Sequence, residues 1–157
     1  MLQRIQTLYL LISIICLSVI QFGADIFYLI GEKMYVLNAY GVIDKMPGAE
    51  VKMVKNIPIF LAIVLLVVLL VVSIFSYKNL KKQLKLVKVT GVIYLLLILT
   101  LGFIALTNRE LIDQKTPLDY KLSTGFYFLV MGFPGVLLAI QGIKKDLNLL
   151  DSLNRLR

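Results

Sequence analysis

Residues 56–77 read NIPIFLAIVLLVVLLVVSIFSY and contain no charged side chain. A helix rises about 1.5 Å per residue, so these 22 residues would extend about 33 Å, close to the thickness of a bilayer core. A soluble core helix shows a polar stripe every 3.6 residues, but the run Val64–Val72 is aliphatic at every position. The stretch therefore predicts a transmembrane helix.

Three further stretches lack charge in the same way. They comprise residues 5–24, 89–108 and 122–143 and are 20, 20 and 22 residues long. All 17 basic and 9 acidic residues lie in the gaps between or around the four stretches. The pattern predicts an all-α integral membrane protein, in which residues 1–157 form a single domain built as a four-transmembrane-helix bundle.

The gaps differ in net charge. Residues 78–88 hold five lysines and no acid, and residues 144–157 hold four bases and two acids, whereas residues 25–55 and 109–121 are each neutral in sum. Lysine and arginine near span ends favour the cytoplasmic side, so both termini and the lysine segment are predicted to be cytoplasmic. Five lysines are predicted to contact anionic lipid headgroups at that surface: Lys78, Lys81, Lys82, Lys85 and Lys88.

The first outer gap, residues 25–55, has the pattern of strands. Asp25–Ile30 and Met34–Ile43 are β-prone runs on either side of a Gly-Glu-Lys turn, which predicts a hairpin. Ala49–Val54 alternates in polarity and predicts a third short strand, and residues 118–122 alternate in the same way. We expect a small extracytoplasmic β-hairpin or sheet that rests on the outer ends of the helices.

The tail, residues 144–157, has the pattern of a cytoplasmic amphipathic helix. Four leucines share one helical face, and polar residues lie opposite. This face predicts a helix that lies on the inner leaflet or packs against the lysine segment, and the alternative is a docking surface for a partner. The leucines are Leu149, Leu150, Leu153 and Leu156.

Small residues form stripes in the third and fourth charge-free stretches. Helices in lipid associate where small side chains let their backbones approach, so each stripe predicts the face that is turned into the bundle. The predicted packing residues are Gly91, Gly102 and Ala105 in the third stretch and Gly125, Gly132, Gly135, Ala139 and Gly142 in the fourth.

Groups that perform chemistry are scarce in this sequence. There is no histidine, the one cysteine is Cys16, and no ionisable side chain lies in the four stretches except Cys16 and tyrosines. Gln6, Ser13 and Gln21 lie loosely on one face, which indicates either hydrogen bonds between helices or a polar path. No spacing predicts a catalytic, cofactor-binding or metal site, and no module for nucleic acid is recognisable.

Two end segments carry a resemblance to a known family. Residues 1–10, MLQRIQTLYL, resemble the opening of a bacterial family of four-span inner-membrane proteins of unknown function, and residues 142–157 are similar to that family's charged tail. The resemblance implies an inner-membrane location in Gram-negative bacteria and supplies no catalytic residue. A weaker architectural likeness is to claudin-like four-span proteins, whose outer tryptophan motif and cysteine pair are absent here.

The sequence as a whole favours a non-enzymatic protein. We expect an accessory or assembly subunit of a larger inner-membrane complex, with membrane lipids and either other subunits or further copies of the chain as partners. A transporter or channel component for a neutral or lipophilic molecule is the first alternative. A lipid-modifying enzyme that uses carboxylates of the outer loops is the second.

Overall fold

The computed structural model describes residues 2–30, 34–44, 52–106 and 119–155. Four α-helices and five β-strands lie in this part of the chain. The helices are α1 (Leu2–Gln21), α2 (Ile59–Phe75), α3 (Leu80–Leu106) and α4 (Thr124–Arg155). The strands are β1 (Phe27–Ile30), β2 (Met34–Asn38), β3 (Gly41–Asp44), β4 (Lys52–Asn56) and β5 (Asp119–Leu122).

Three helices are long and apolar enough to cross a membrane, by length and composition. The apolar segments are Ile59–Lys78, Leu80–Ile104 and Thr124–Leu150. In α1 the corresponding segment, Ile5–Gln21, is shorter. The fourth span therefore stays a prediction, whereas the helical character of all four stretches is confirmed.

Each helix buries residues at intervals of three and four, apart from one interval of seven between Tyr94 and Leu101 in α3. An average interval of 3.5 residues keeps the buried positions in one line along a helix, here called its seam, and is typical of helices that pack with a left-handed twist. The buried series are Gln6, Leu10, Ser13, Leu17 and Ile20 in α1; Ile59, Ile63, Leu66, Leu70 and Ser73 in α2; Gln83, Val87, Thr90, Tyr94 and Leu101 in α3; and Gly125, Leu129, Gly132, Val136, Ala139, Ile143 and Asp146 in α4. The core of the bundle lies between these four seams.

The strands form one antiparallel sheet in the order β4-β3-β2-β1-β5. The predicted sheet is confirmed, and the alternation at residues 118–122 corresponds to β5, which pairs with β1. The predicted third strand corresponds to β4, shifted toward the C-terminus, and residues 49–51 lie outside the described part. The predicted combination of four helices with a small antiparallel sheet is thus confirmed.

One prediction within the sheet is wrong: Met34–Ile43 is two strands rather than one. A two-residue turn separates β2 from β3, with Asn38 paired to Gly41. The side-chain oxygen of Asn38 accepts the N–H groups of Tyr40 at 2.9 Å and Gly41 at 3.1 Å, which is how asparagine commonly closes a turn. Gly41 has φ 144°, a backbone conformation open mainly to glycine.

The sheet rests on the ends of the helices. The backbone N–H of Phe60, at the start of α2, donates to the Ala39 carbonyl at 2.8 Å. The rings of Phe27 in β1 and Phe126 in α4 lie 5.1 Å apart, and Tyr40 Oη donates to the Gln21 carbonyl at 3.2 Å. These contacts join the sheet to α1, α2 and α4, as the sequence pattern predicted.

The tail is helical, as predicted, and the lysine segment is largely helical as well, but neither forms a separate element. Residues 144–155 continue α4, which is a single helix of 32 residues with Pro134 inside it. The lysine segment comprises a short 3-10 turn at Ser76–Lys78 and the first turns of α3. Polar residues at these positions therefore sit on the same rigid helices as the apolar segments.

Candidate functional site: the α1–α4 interface and the lysine face of α3

Helices α1 and α4 form the most extensive helix contact among the described elements, and glycines make it close. A Cβ atom placed on Gly135 would lie 2.8 Å from the Tyr9 carbonyl oxygen and against Ser13 Oγ. One on Gly132 would lie against Tyr94 Oη and 3.1 Å from the Cys16 Cβ. Because a backbone oxygen cannot move cheaply, Gly135 is a position where only glycine fits.

Glycines near the two ends of the charge-free part of α4 also lie against other parts of the chain. A Cβ on Gly125 would lie 2.6 Å from the Asp25 carbonyl oxygen, and the Gly125 N–H donates to that same oxygen at 2.9 Å. At the other end, a Cβ on Gly142 would lie 3.0 Å from Gln6 Cγ. The glycines of the fourth-stretch stripe thus face α1, the segment that follows it and, at Gly132, Tyr94 of α3, and Ala139 of the same stripe is fully buried.

The stripe on α3 is less uniform. A Cβ on Gly91 would meet Val136 and Ile140 at ordinary contact distances of 3.5 and 3.6 Å, and one on Gly102 would have nothing within 4 Å. Gly91 is buried at the α4 interface, whereas Gly102 has free space beside it. The side chain of Ala105 lies outside the described residues.

Polar side chains join α1 to α4 along the same seam. Gln6 Nε2 donates to Asp146 Oδ2 at 2.6 Å, and both residues are buried. Ser13 Oγ donates to the Gly132 carbonyl at 2.8 Å, and Tyr94 Oη of α3 donates to the Leu129 carbonyl at 2.9 Å. Of the three residues predicted to share a polar face, Gln6 and Ser13 reach α4. Gln21 instead keeps a buried Oε1 without a partner among the described residues.

Asp146 is the residue that the sequence reasoning missed. Its charge and its place in the tail predict exposure, but it is only 9% exposed, and its Oδ1 has no hydrogen-bond partner among the described residues. The signal was available: Gly125, Gly132, Ala139 and Asp146 recur at seven-residue intervals. A side chain that continues such a repeat on an unbroken helix lies on the buried face.

The lysine face begins where α2 turns into α3. Asn79 caps α3, since its side-chain oxygen accepts the Lys82 N–H at 3.2 Å. The buried amide of Gln83 donates to the Ser73 carbonyl at 3.1 Å, which ties the first turn of α3 to the end of α2. All five predicted lipid-contacting lysines are exposed: Lys78, Lys81, Lys82, Lys85 and Lys88.

An open groove lies on this face. It has a volume of about 290 Å³ and is lined by Lys82, Lys85, Leu86 and Val89. These positions follow one another at intervals of three, one and three, so they share one side of α3. The surface of the groove is almost wholly apolar, so Lys82 and Lys85 line it with their aliphatic stems, and their charged ends extend beyond it into the exposed surface.

The structure describes the side chains of two of the four tail leucines. Leu149 and Leu150 are each 47% exposed, whereas Leu147 of the preceding turn packs against the core. The side chains of Leu153 and Leu156 lie outside the described residues. The described part of the predicted docking face is thus an apolar surface that no described element covers.

Acidic and nucleophilic groups do not gather elsewhere in the described chain. No group of three histidine, cysteine, aspartate or glutamate side chains is placed to hold a metal ion within the described residues. Cys16 is buried with a free thiol, and Asp25 accepts the Tyr28 hydroxyl at 3.0 Å. The other outer carboxylates that the enzyme alternative would use lie mostly outside the described part.

Comparison with known proteins gives a family and no activity. No curated protein matches the chain. A family model matches nearly its whole length, which confirms the resemblance to a family of unknown function that the two end segments suggested. The chain, through residues 2–156, belongs to the family described as a domain of unknown function (DUF4293).

Proposed function

We propose that the protein is a non-enzymatic accessory or assembly subunit of a larger complex in the bacterial inner membrane. The observation that carries the proposal is the exposure of Leu149 and Leu150 at the end of α4. Leu149 and Leu150 are the last residues of the apolar segment Thr124–Leu150, and the charged residues Lys144, Lys145 and Asp146 precede them. In the proposed orientation they therefore lie at the cytoplasmic margin of the membrane and not within its apolar core. An apolar surface at that level is one that a partner subunit would cover.

The rigidity of the tail supports this role. Leu147 packs on the core and Asp146 is held by Gln6, so the leucines that follow are presented by a helix already fixed to the bundle. A surface that is ordered before binding loses less conformational entropy on association. Such a helix is suited to act as a fixed platform for another protein.

The orientation that we propose is N- and C-termini in the cytoplasm. It rests on the exposed lysines at the α2–α3 turn and on Lys144 and Lys145 at the same end of the bundle. Reporter fusions after Gly48, Lys82 and Lys115 are expected to report outside, inside and outside. Any other order contradicts the four-span topology.

The subunit proposal is tested by affinity purification from the native membrane in mild detergent. Wild-type protein is expected to recover partners at fixed stoichiometry, and L149E/L150E is expected to lose them. The matched control is N148E/S152E, which adds the same charge at exposed polar positions of the same turns. If the wild-type chain is recovered alone at every detergent strength, or if both variants lose the partners equally, the proposal is wrong.

A transporter or channel component for a neutral or lipophilic molecule is the second candidate, and the buried Asp146 is the observation that favours it. An ionisable side chain enclosed in a membrane bundle commonly marks a coupling or transport site. The transport hypothesis is tested by measuring the uptake of neutral and lipophilic solutes into proteoliposomes that contain either the wild-type protein or D146N. Solute flux that is present with the wild-type protein and absent with D146N would support transport. If protein-free vesicles are as permeable as those that contain the wild-type protein, transport is excluded.

A further inference from the structure

We propose that the groove on α3 binds one anionic glycerophospholipid, with the headgroup at Lys82 and Lys85 and an acyl chain on Leu86 and Val89. The sequence predicts that five lysines attract anionic lipids in general, whereas this proposal assigns one bound lipid to two of them. It depends on the membrane location of α3 and not on the role as a subunit. The ligand class follows from an apolar groove that is lined in part by the aliphatic stems of two exposed lysines. An acyl chain fits the apolar surface, and a phosphate can meet the ammonium groups at its rim.

The first support is the way in which α3 holds its lysines. The Asn79 cap and the Gln83–Ser73 hydrogen bond fix the first turn of α3 against the end of α2. The backbone that carries Lys82 and Lys85 is therefore ordered, and only their side chains must adapt to a phosphate. A lysine pair on a fixed helix holds its two charges at one place on the membrane surface, unlike lysines on a flexible loop.

The second support is an apolar strip that continues from the groove along α3. Its members are exposed and lie on one side of the helix: Val89, Val92, Leu96, Leu99 and Phe103. From Val89 to Leu99 the helix rises about 15 Å, which equals about half of a bilayer core. The headgroup site and the strip together therefore match one lipid of one leaflet, from its phosphate to the end of its acyl chain.

The third support is the distribution of charge around the groove. Lys81 and Lys88 are exposed on the same helix but do not line the groove, and residues 78–88 contain no acid. The field at the groove is therefore positive without an internal counterion from this segment. A zwitterionic headgroup would gain less from it than phosphatidylglycerol or another lipid of net negative charge.

The test is native mass spectrometry of the full chain in detergent, titrated with phosphatidylglycerol, phosphatidylcholine of the same acyl chains, or glycerol phosphate. One phosphatidylglycerol is expected to bind wild type. The pair K82Q/K85Q is expected to weaken this binding by roughly 30-fold, since each lysine near a surface contributes about fivefold in affinity. K144Q/K145Q, which removes the same charge at two exposed positions of α4, is expected to bind nearly as wild type.

A second pair of variants tests the apolar half of the site without changing charge. V89W fills the groove and is expected to reduce phosphatidylglycerol binding, whereas L95W, at another exposed position of α3, is expected to leave it intact. Three results would each overturn the lipid site. The two lysine-pair variants could lose phosphatidylglycerol binding equally, or phosphatidylcholine could bind as well as phosphatidylglycerol does. Glycerol phosphate alone could also displace the bound lipid. None of these outcomes bears on whether the tail leucines recruit a partner.

Discussion

The α1–α4 interface and helix α2 bury side chains at the same spacing but of different kinds. The first contains Gly132, Gly135, Gln6, Ser13 and Asp146, so its helices approach closely and exchange hydrogen bonds. The seam of α2 is aliphatic from Ile59 through Leu70 and ends at Ser73. Because lipid is as apolar as leucine, α2 gains little specificity from its aliphatic surface. The pair α1–α4 is therefore expected to determine which helices meet, and α2 to fill the remaining side of the bundle.

The largest expected effect comes from adding volume where the α1 and α4 backbones approach. G135V would place methyl groups against the Tyr9 carbonyl and Ser13, and overpacking of this kind costs about 3 kcal/mol. We expect G135V to lose its monodisperse peak at a clearly lower temperature than the wild-type protein does. Size-exclusion chromatography after heating measures this loss. G102V is the matched control, since a Cβ there meets nothing within 4 Å. Equal destabilisation by the two variants would remove the distinction between the interfaces.

The second effect concerns the Gln6–Asp146 hydrogen bond. Q6L leaves a buried carboxylate without its donor, and the cost of an unpartnered buried polar group is about 1–3 kcal/mol. The double variant Q6L/D146L removes both partners and is expected to be more stable than Q6L alone. Reversible unfolding in mixed micelles measures the four members of this cycle. Additive losses would show that the two side chains do not act as a pair, and Q141L serves as a control at an exposed glutamine of α4.

The third effect separates a hydrogen bond between helices from one within a helix. S13A removes the donor to Gly132 of α4, which in a membrane bundle contributes about 0.6–1.7 kcal/mol. S18A removes a hydroxyl that donates to the Ile14 carbonyl of its own helix at 2.8 Å, and its effect is expected to be smaller. The same unfolding assay ranks the two variants. If S18A costs as much as S13A, serine hydrogen bonds do not specify the α1–α4 pair.

The helices were predictable because charge is costly in an apolar environment. The segments without charge had to be either spans or core, and their length favoured spans. The strands were predictable where polarity alternated, as at residues 118–122. The turn at Asn38 was missed because it lies within a β-prone run, although asparagine followed three residues later by Gly41 is typical of a turn.

The inward faces were predictable only where composition differs around a helix. In α4 the glycines distinguish one side, so the stripe could be assigned before the structure. In α2 every side is aliphatic, and Leu65 and Leu66 are indistinguishable by chemistry, although one is exposed and the other fully buried. The burial of Asp146 depends on the unbroken length of α4, which the sequence pattern divided into a span and a tail.

The smallest expected effect tests the aliphatic half of the comparison. L66M replaces a fully buried leucine of α2 by a flexible side chain of nearly equal volume, and such substitutions cost less than about 1.5 kcal/mol. L65M makes the same change at an exposed position of the neighbouring residue and is expected to be neutral. Heating followed by size-exclusion chromatography, applied to both variants beside G135V, is expected to place L66M close to wild type. If L66M lowers thermal stability as much as G135V does, α2 packs as specifically as α1 and α4 do. The shape of aliphatic surfaces would then discriminate between helices as strongly as close backbone contact does.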